Sequence, residues 1–220
     1  MSTFATPAPV TAVIEIAAGR VQLIATERTD TVVEVRPAEA GKGRDVKTAE
    51  QTQVDCTDGL LRIRTATPKN PLLGGGSVEV TVHLPAGSRI EGKCAAVELR
   101  TVGRLGEVVF EGAYRETSVE EAAGLRLTAV GGDVEVGRLG GAAEISTSCG
   151  DIRVAEAAAG SLVARTQKGD ITVGVATGVS AALDARTTFG AVANSLKNDG
   201  STALRISATT SCGDITARSL

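Results

Sequence analysis

The chain has 220 residues, with 23 basic and 26 acidic side chains and a formal charge of −3. That balance gives no electrostatic reason to bind nucleic acid, and no apolar run approaches the ~20 residues that span a bilayer. There is no Trp, one Tyr, three Phe and one Met against 26 Gly, so a round core of interlocking large side chains is excluded as well.

What such a composition can fill is a thin interior of small and β-branched residues. The opening MSTFATPAPVTAVIEIAAGR lacks a charged segment followed by an apolar core and does not read as a secretory signal. The expectation is a soluble, cytoplasmic chain with no direct membrane insertion, whose four cysteines stay reduced.

The first hundred residues are strand-rich and irregular. Val10-Thr11-Ala12-Val13-Ile14-Glu15-Ile16 and Arg20-Val21-Gln22-Leu23-Ile24 flank a turn at Gly19, and Thr31-Val32-Val33-Glu34-Val35 stops at Pro37. The charged stretch from Ala38 to Gln51 has room for one short helix. Asp58-Gly59 is a hairpin signal between Gln53-Val54-Asp55-Cys56 and Leu60-Leu61-Arg62-Ile63-Arg64. A glycine-rich loop over Thr67–Gly76 leads into a strand from Ser77 to Leu84, with Val78, Val80, Val82 and Leu84 on one face. His83, the single histidine, points the other way.

Gly87-Ser88-Arg89-Ile90-Glu91-Gly92-Lys93 has the spacing of a phosphate-binding loop. Cys94 stands where Ser or Thr would hold magnesium, and Val97-Glu98-Leu99-Arg100 reads as a strand where a helix is required. The motif is rejected.

From residue 101 a repeat takes over. Gly132-Asp133-Val134, Gly150-Asp151-Ile152, Gly169-Asp170-Ile171, Gly190-Ala191-Val192 and Gly213-Asp214-Ile215 recur at about 20 residues, with a weaker copy at Gly106-Glu107-Val108. Upstream of each pair run columns such as Leu127, Ile145, Ala164, Ala185 and Ala208, then Ala129, Thr147, Thr166, Thr187 and Thr210. Arg126, Glu144, Arg165 and Arg186 alternate with them. Period-two alternation repeated at this interval predicts stacked strand pairs. The fold expected is all-β, a single-domain β-solenoid of right- or left-handed sense with ~20-residue rungs. Residues 1–100 form its irregular cap and 101–220 its regular repeats.

TSCGDI occurs twice, around Cys149 and Cys212. Lys168 and Phe189 fill the same repeat position, which a reactive or metal-binding thiol would not tolerate. Taken in sequence order, the two cysteines stand three rungs apart, roughly 14 Å, too far for a disulfide. The spacing does not say whether Cys56 and Cys94 approach each other. Gly132, Asp133, Gly150, Asp151, Gly169, Asp170, Gly213 and Asp214 read as structural turns: Gly supplies a positive φ and Asp accepts backbone N–H bonds. One carboxylate per rung, interrupted at Ala191, falls short of the six to eight oxygens calcium takes. No cofactor, metal or catalytic residue is expected.

The order of these stretches resembles the bacterial putative-adhesin family, a β-solenoid domain of unknown function. The resemblance is carried by Thr29-Asp30-Thr31-Val32-Val33-Glu34-Val35-Arg36-Pro37, by Val82-His83-Leu84-Pro85-Ala86-Gly87-Ser88, and by the Gly-Asp-Ile/Val repeats. Thr187-Thr188-Phe189-Gly190-Ala191-Val192-Ala193-Asn194-Ser195-Leu196 resembles the family's penultimate rung and Thr210-Ser211-Cys212-Gly213-Asp214-Ile215-Thr216 its last. The resemblance assigns no catalytic residues, and relatives linked to envelope-stress sensing imply a regulatory partner.

The function expected is a non-catalytic binding or scaffold protein, adhesin-like, presenting repetitive faces to a protein partner. A second reading is self-association into a homo-oligomer or filament through an uncapped last rung, with Ile215, Ala217 and Leu220 as the assembly edge. A third, a carbohydrate-active enzyme, would need clustered carboxylates in a cleft. Short turns and few aromatics argue against it.

Overall fold

A computed structural model describes residues 1–66 and 75–220, with Ala113 and Tyr114 as backbone only. The loop expected over Thr67–Gly76 lies, but for its last two residues, outside them.

Alternation decides the architecture. In β2 (Thr11–Thr26), β3 (Asp30–Pro37) and β6 (Val78–Pro85) buried residues alternate with more exposed ones over most of the length, as at Ala12, Ile14 and Ile16, at Thr31 and Val33, and at Val78, Val80, Val82 and Leu84, because successive side chains of a strand point to opposite faces. β1 (Ser2–Ala5), for which the sequence gives no alternation of its own, pairs antiparallel with β3. β4 (Gln53–Thr57) and β5 (Leu60–Arg64) form the expected hairpin. Its turn residues Asp58 and Gly59 both have positive φ, 51° and 75°, as a twist-matched two-residue turn demands.

The charged stretch contains the short helix α1 (Gly43–Gln51). Asp45 anchors its first turn, accepting the N–H groups of Ser77 at 2.9 Å and Glu39 at 3.2 Å, where a carboxylate also complements the helix dipole.

Gly19 does not break β2. The strand bends there and remains paired: a Cβ at Gly19 would lie 1.8 Å from the Val78 carbonyl oxygen, and its φ is +139°. β7 (Arg89–Ala129) is a 41-residue version of the same device, passing corners at Gly103 and Gly112 with φ of 82° and 92°. The boundary expected at residue 100 therefore falls inside a continuous strand. Parallel pairing already begins before it, with Thr11↔Leu60, Gly19↔Val78 and Thr11↔Arg89.

The remaining strands are β8 (Val134–Leu139), β9 (Ala143–Cys149), β10 (Ile152–Ala157), β11 (Gly160–Lys168), β12 (Ile171–Val175), β13 (Ala181–Phe189), β14 (Val192–Ser195), β15 (Leu204–Cys212) and β16 (Ile215–Ser219). They alternate between two ladders of one open sheet. The first runs β1-β3-β6-β2-β7-β8-β10-β12-β16-β14, the second β4-β5-β2-β7-β9-β11-β15-β13. β1–β3, β3–β6 and β4–β5 are antiparallel, and the other pairings are parallel.

One continuous cluster of buried residues runs from Val10 to Ile215, mostly Val, Ile, Leu and Ala. Among the described residues Phe110 is its single fully buried aromatic. It fits because a Cβ on Gly92 would sit 2.2 Å from its ring. The second glycine of the apparent phosphate loop is thus the seat of Phe110.

From β7 onward the ladders depart from sequence order at one place. β12 pairs with β16, and β16 with β14; β11 pairs with β15, and β15 with β13. The last repeat is therefore inserted between the two repeats that precede it, and β13 and β14 form the end of the stack.

Candidate functional site

The Gly-Asp residues form a column at the corner between the ladders. Asp133 Oδ1 accepts the N–H of Asp151 at 2.9 Å, Asp151 Oδ1 that of Asp170 at 2.9 Å, and Asp170 Oδ1 that of Asp214 at 2.8 Å. Asp214 Oδ1 then accepts the N–H of Ala191 at 2.8 Å. Each carboxylate thus holds the next strand pair, and a charge-assisted acceptor suits the task. The residue at the end needs no carboxylate, and it is Ala191.

The glycines follow the same order. A Cβ on Gly150, Gly169, Gly213 or Gly190 would lie 2.0–2.2 Å from the carbonyl oxygen of Gly132, Gly150, Gly169 or Gly213 respectively. The first three also have φ of 140–147°, which L side chains rarely adopt. Thr166, Thr210 and Thr187 donate to the Gly150, Gly169 and Gly213 carbonyls at 3.1, 3.0 and 2.9 Å.

The insertion moves the expected assembly edge. Ile215 and Ala217 are each 1% exposed, because β16 is paired on both sides. Leu220 lies against β12, its N–H donating to the Val175 carbonyl at 2.9 Å and its own oxygen accepting from Thr177. The open edge belongs to β13 and β14.

The cysteine column is likewise Cys149, Lys168, Cys212, Phe189, so the two thiols are two strand steps apart instead of three. That is roughly 9.6 Å, still beyond disulfide reach, and all four cysteines are free. Cys56 shares a column with Leu61, Ala12 and Ile90, while Cys94 pairs with Ile16. The two are about 13 Å apart along the strands alone. Burial pushes the Cys94 thiol up to about 11.

Outward positions carry ion pairs between strands. Arg20 bridges Glu79 and Glu98 at 3.5 and 3.0 Å, and Glu144 joins Arg126 and Arg165 at 3.7 and 3.2 Å. These exposed pairs specify register more than they stabilise.

On the first ladder the backbone recedes into a groove of about 490 Å³. Its floor includes Gly137 and Gly174, where a Cβ would meet the carbonyl oxygens of Glu120 and Ala155 at 2.5 and 2.0 Å. Arg100, Glu135, Arg153 and Arg218 rim it. Arg153 is held by Glu135 and Asp151 at 3.8 and 3.3 Å. Among the described residues Arg100 and Arg218 form no ion pair. The sequence shows these arginines as outward positions; the register shift between Val154 and Ala157 at the groove has a signal only in glycines such as Gly137 and Gly174.

Among the described residues no three His, Cys, Asp or Glu side chains gather as metal ligands, and no helix is long and apolar enough to cross a membrane.

Stacked parallel strand pairs, corner glycines and a thin apolar interior define an all-β repeat protein. The chain matches the Toastrack DUF4097 family over residues 12–219, and it belongs to that family. No curated protein matches it. Among solved structures it is similar to a putative adhesin from Bacteroides fragilis, with TM-score 0.50 and 14% identity, covering 98% of this chain and 95% of that one. A putative cell adhesion protein from Clostridium sporogenes matches with TM-score 0.35 and 13% identity, covering 100% and 98%. At 14% identity the likeness to the Bacteroides fragilis structure is one of fold alone.

Proposed function

We propose that this is a non-catalytic, adhesin-like β-solenoid with rungs of about 20 residues, which binds a protein partner through an outer face of its first ladder. The adhesin names of its structural neighbours agree with a binding role. The observation that carries the reading is the groove with Arg100 and Arg218 on its rim. These lie five strand steps apart, roughly 24 Å, a span suited to an extended acidic segment of a partner. Unpaired arginines are the side chains that gain most from incoming carboxylates, because the guanidinium fork binds them in two-point fashion. A cytoplasmic setting belongs to the same reading, in which the exposed Cys149 and Cys212 stay reduced.

The test is quantitative cross-linking of the full chain in cells that express it, set beside Arg100→Glu/Arg218→Glu and, on the other ladder, Arg126→Glu. Loss of the same partner only in the groove variant supports the proposal. Equal retention in all three contradicts it.

A further inference from the structure

The two ends of the stack are finished differently. At one end antiparallel strands and the segment containing α1 close the core, with Phe4, Ala49 and Val54 packed against it. At the other, β13 and β14 each have a partner strand on one side only. Residues 188–195 are exposed without a break. Val192 stands in the column of Ile171 and Ile215, yet is 47% exposed where Ile215 is 1% exposed, and Phe189 beside it is 72% exposed. Natural sheets blunt such edges with charge, proline or a covering segment. Here β14 carries no charge, and β13 carries Asp184 and Arg186 alone, one of each sign.

We propose that this end is covered by the same end of a second copy, related by a two-fold axis, so that both ladders continue across the interface. The charge pattern selects that occupant. When two β13 strands meet antiparallel and centred on Ala185, Asp184 of each faces Arg186 of the other on the solvent side. Leu183 then faces Thr187 on the core side. A two-fold contact is self-complementary and closes at two chains.

Parallel addition of a further strand pair, as in a filament, has no such match. At the corner the incoming N–H would meet the methyl of Ala191 where every other step offers an aspartate. The contact adjoins the Arg218 end of the groove, where Ser195 of β14 pairs with Arg218, but does not rest on which partner the groove takes.

The test is light scattering on a size-exclusion column with the full chain across a wide concentration range, together with Asp184→Arg, Arg186→Asp and the double exchange Asp184→Arg/Arg186→Asp. Circular dichroism melts confirm that each variant is folded. The wild type is expected at twice its chain mass of 22.3 kDa. Each single variant places like charges opposite and is expected to weaken the dimer roughly tenfold or more, and the double exchange restores it. A wild type that stays monomeric, a mass that keeps growing with concentration, or single variants that dimerise as the wild type does would each overturn the proposal.

Discussion

The backbone N–H of Ala191 donates to Asp214 Oδ1 at 2.8 Å, although Asp214 lies 23 residues further along the chain. Everywhere else in the column the acceptor precedes the donor in sequence. The reversal marks the place where the last repeat is laid between its two predecessors. In the folded chain β13 and β14 reach the rest of the stack through residues 204–219, which pair with them on one side and with β11 and β12 on the other.

The Asp column makes a graded prediction. Asp170→Ala removes the acceptor for Asp214 N–H and should lower stability by about 1 kcal/mol, while Asp170→Asn keeps most of it. Ala191→Asp adds an acceptor with nothing beyond it and should stay within about 0.5 kcal/mol of wild type. Urea unfolding of the three variants reads the differences.

Glycines separate in the same way. A Cβ on Gly169 would lie 2.1 Å from the Gly150 carbonyl oxygen at φ +146°, whereas Gly178, at φ +81°, faces open space. Gly169→Ala combines steric overlap with backbone strain and is expected to cost about 3 kcal/mol or more. Gly178→Ala should cost about 1 kcal/mol. Thermal melts followed by far-ultraviolet circular dichroism check both.

Thiol reactivity follows burial. Cys149 and Cys212 are exposed, and the Cys94 thiol is held up at about 11. At pH 8 iodoacetamide should label the first two rapidly and Cys94 at least ~100-fold more slowly, since the thiolate is the reactive form. Peptide mass spectrometry of a labelling time course reads the order.

The crossing segment from β14 to β15 carries an acid-sensitive contact. The Ser201 hydroxyl, the Ser201 N–H and the Ser180 hydroxyl hold the Asp199 carboxyl at about 2, below its ordinary 3.8. A depressed carboxyl contributes stability above its unfolded value and loses it as pH falls through the folded one. The Asp199–Ser201 turn should therefore persist at pH 5 and loosen between about pH 4 and pH 2. Amide chemical shifts of Ser201 across that range give the midpoint.

Much of this was legible in the residues. Alternation marked the strands, Asp58-Gly59 the hairpin and Gly-Asp the corners, because each is a local backbone requirement. The insertion was not, since periodicity records that repeats stack and not which neighbours they take. One signal was present. Ala191 in place of aspartate read as an interruption of the column, whereas a residue that need not hold a successor belongs at an end. The placement of Ile215 at the edge failed for the same reason. The groove on the first ladder was invisible because its glycines differ from turn glycines only in what approaches them.

The order of the last strands can be read from one bond. In Lys168→Cys/Cys149→Ser, the introduced thiol and Cys212 occupy paired positions on β11 and β15, about 4.8 Å apart between Cα atoms and within disulfide range. Mild oxidation followed by peptide mass spectrometry is predicted to yield the bridge between position 168 and Cys212. If the repeats stacked in sequence order, β13 would separate the two thiols by roughly 9.6 Å. A chain that stays folded and forms no such bridge would contradict the insertion.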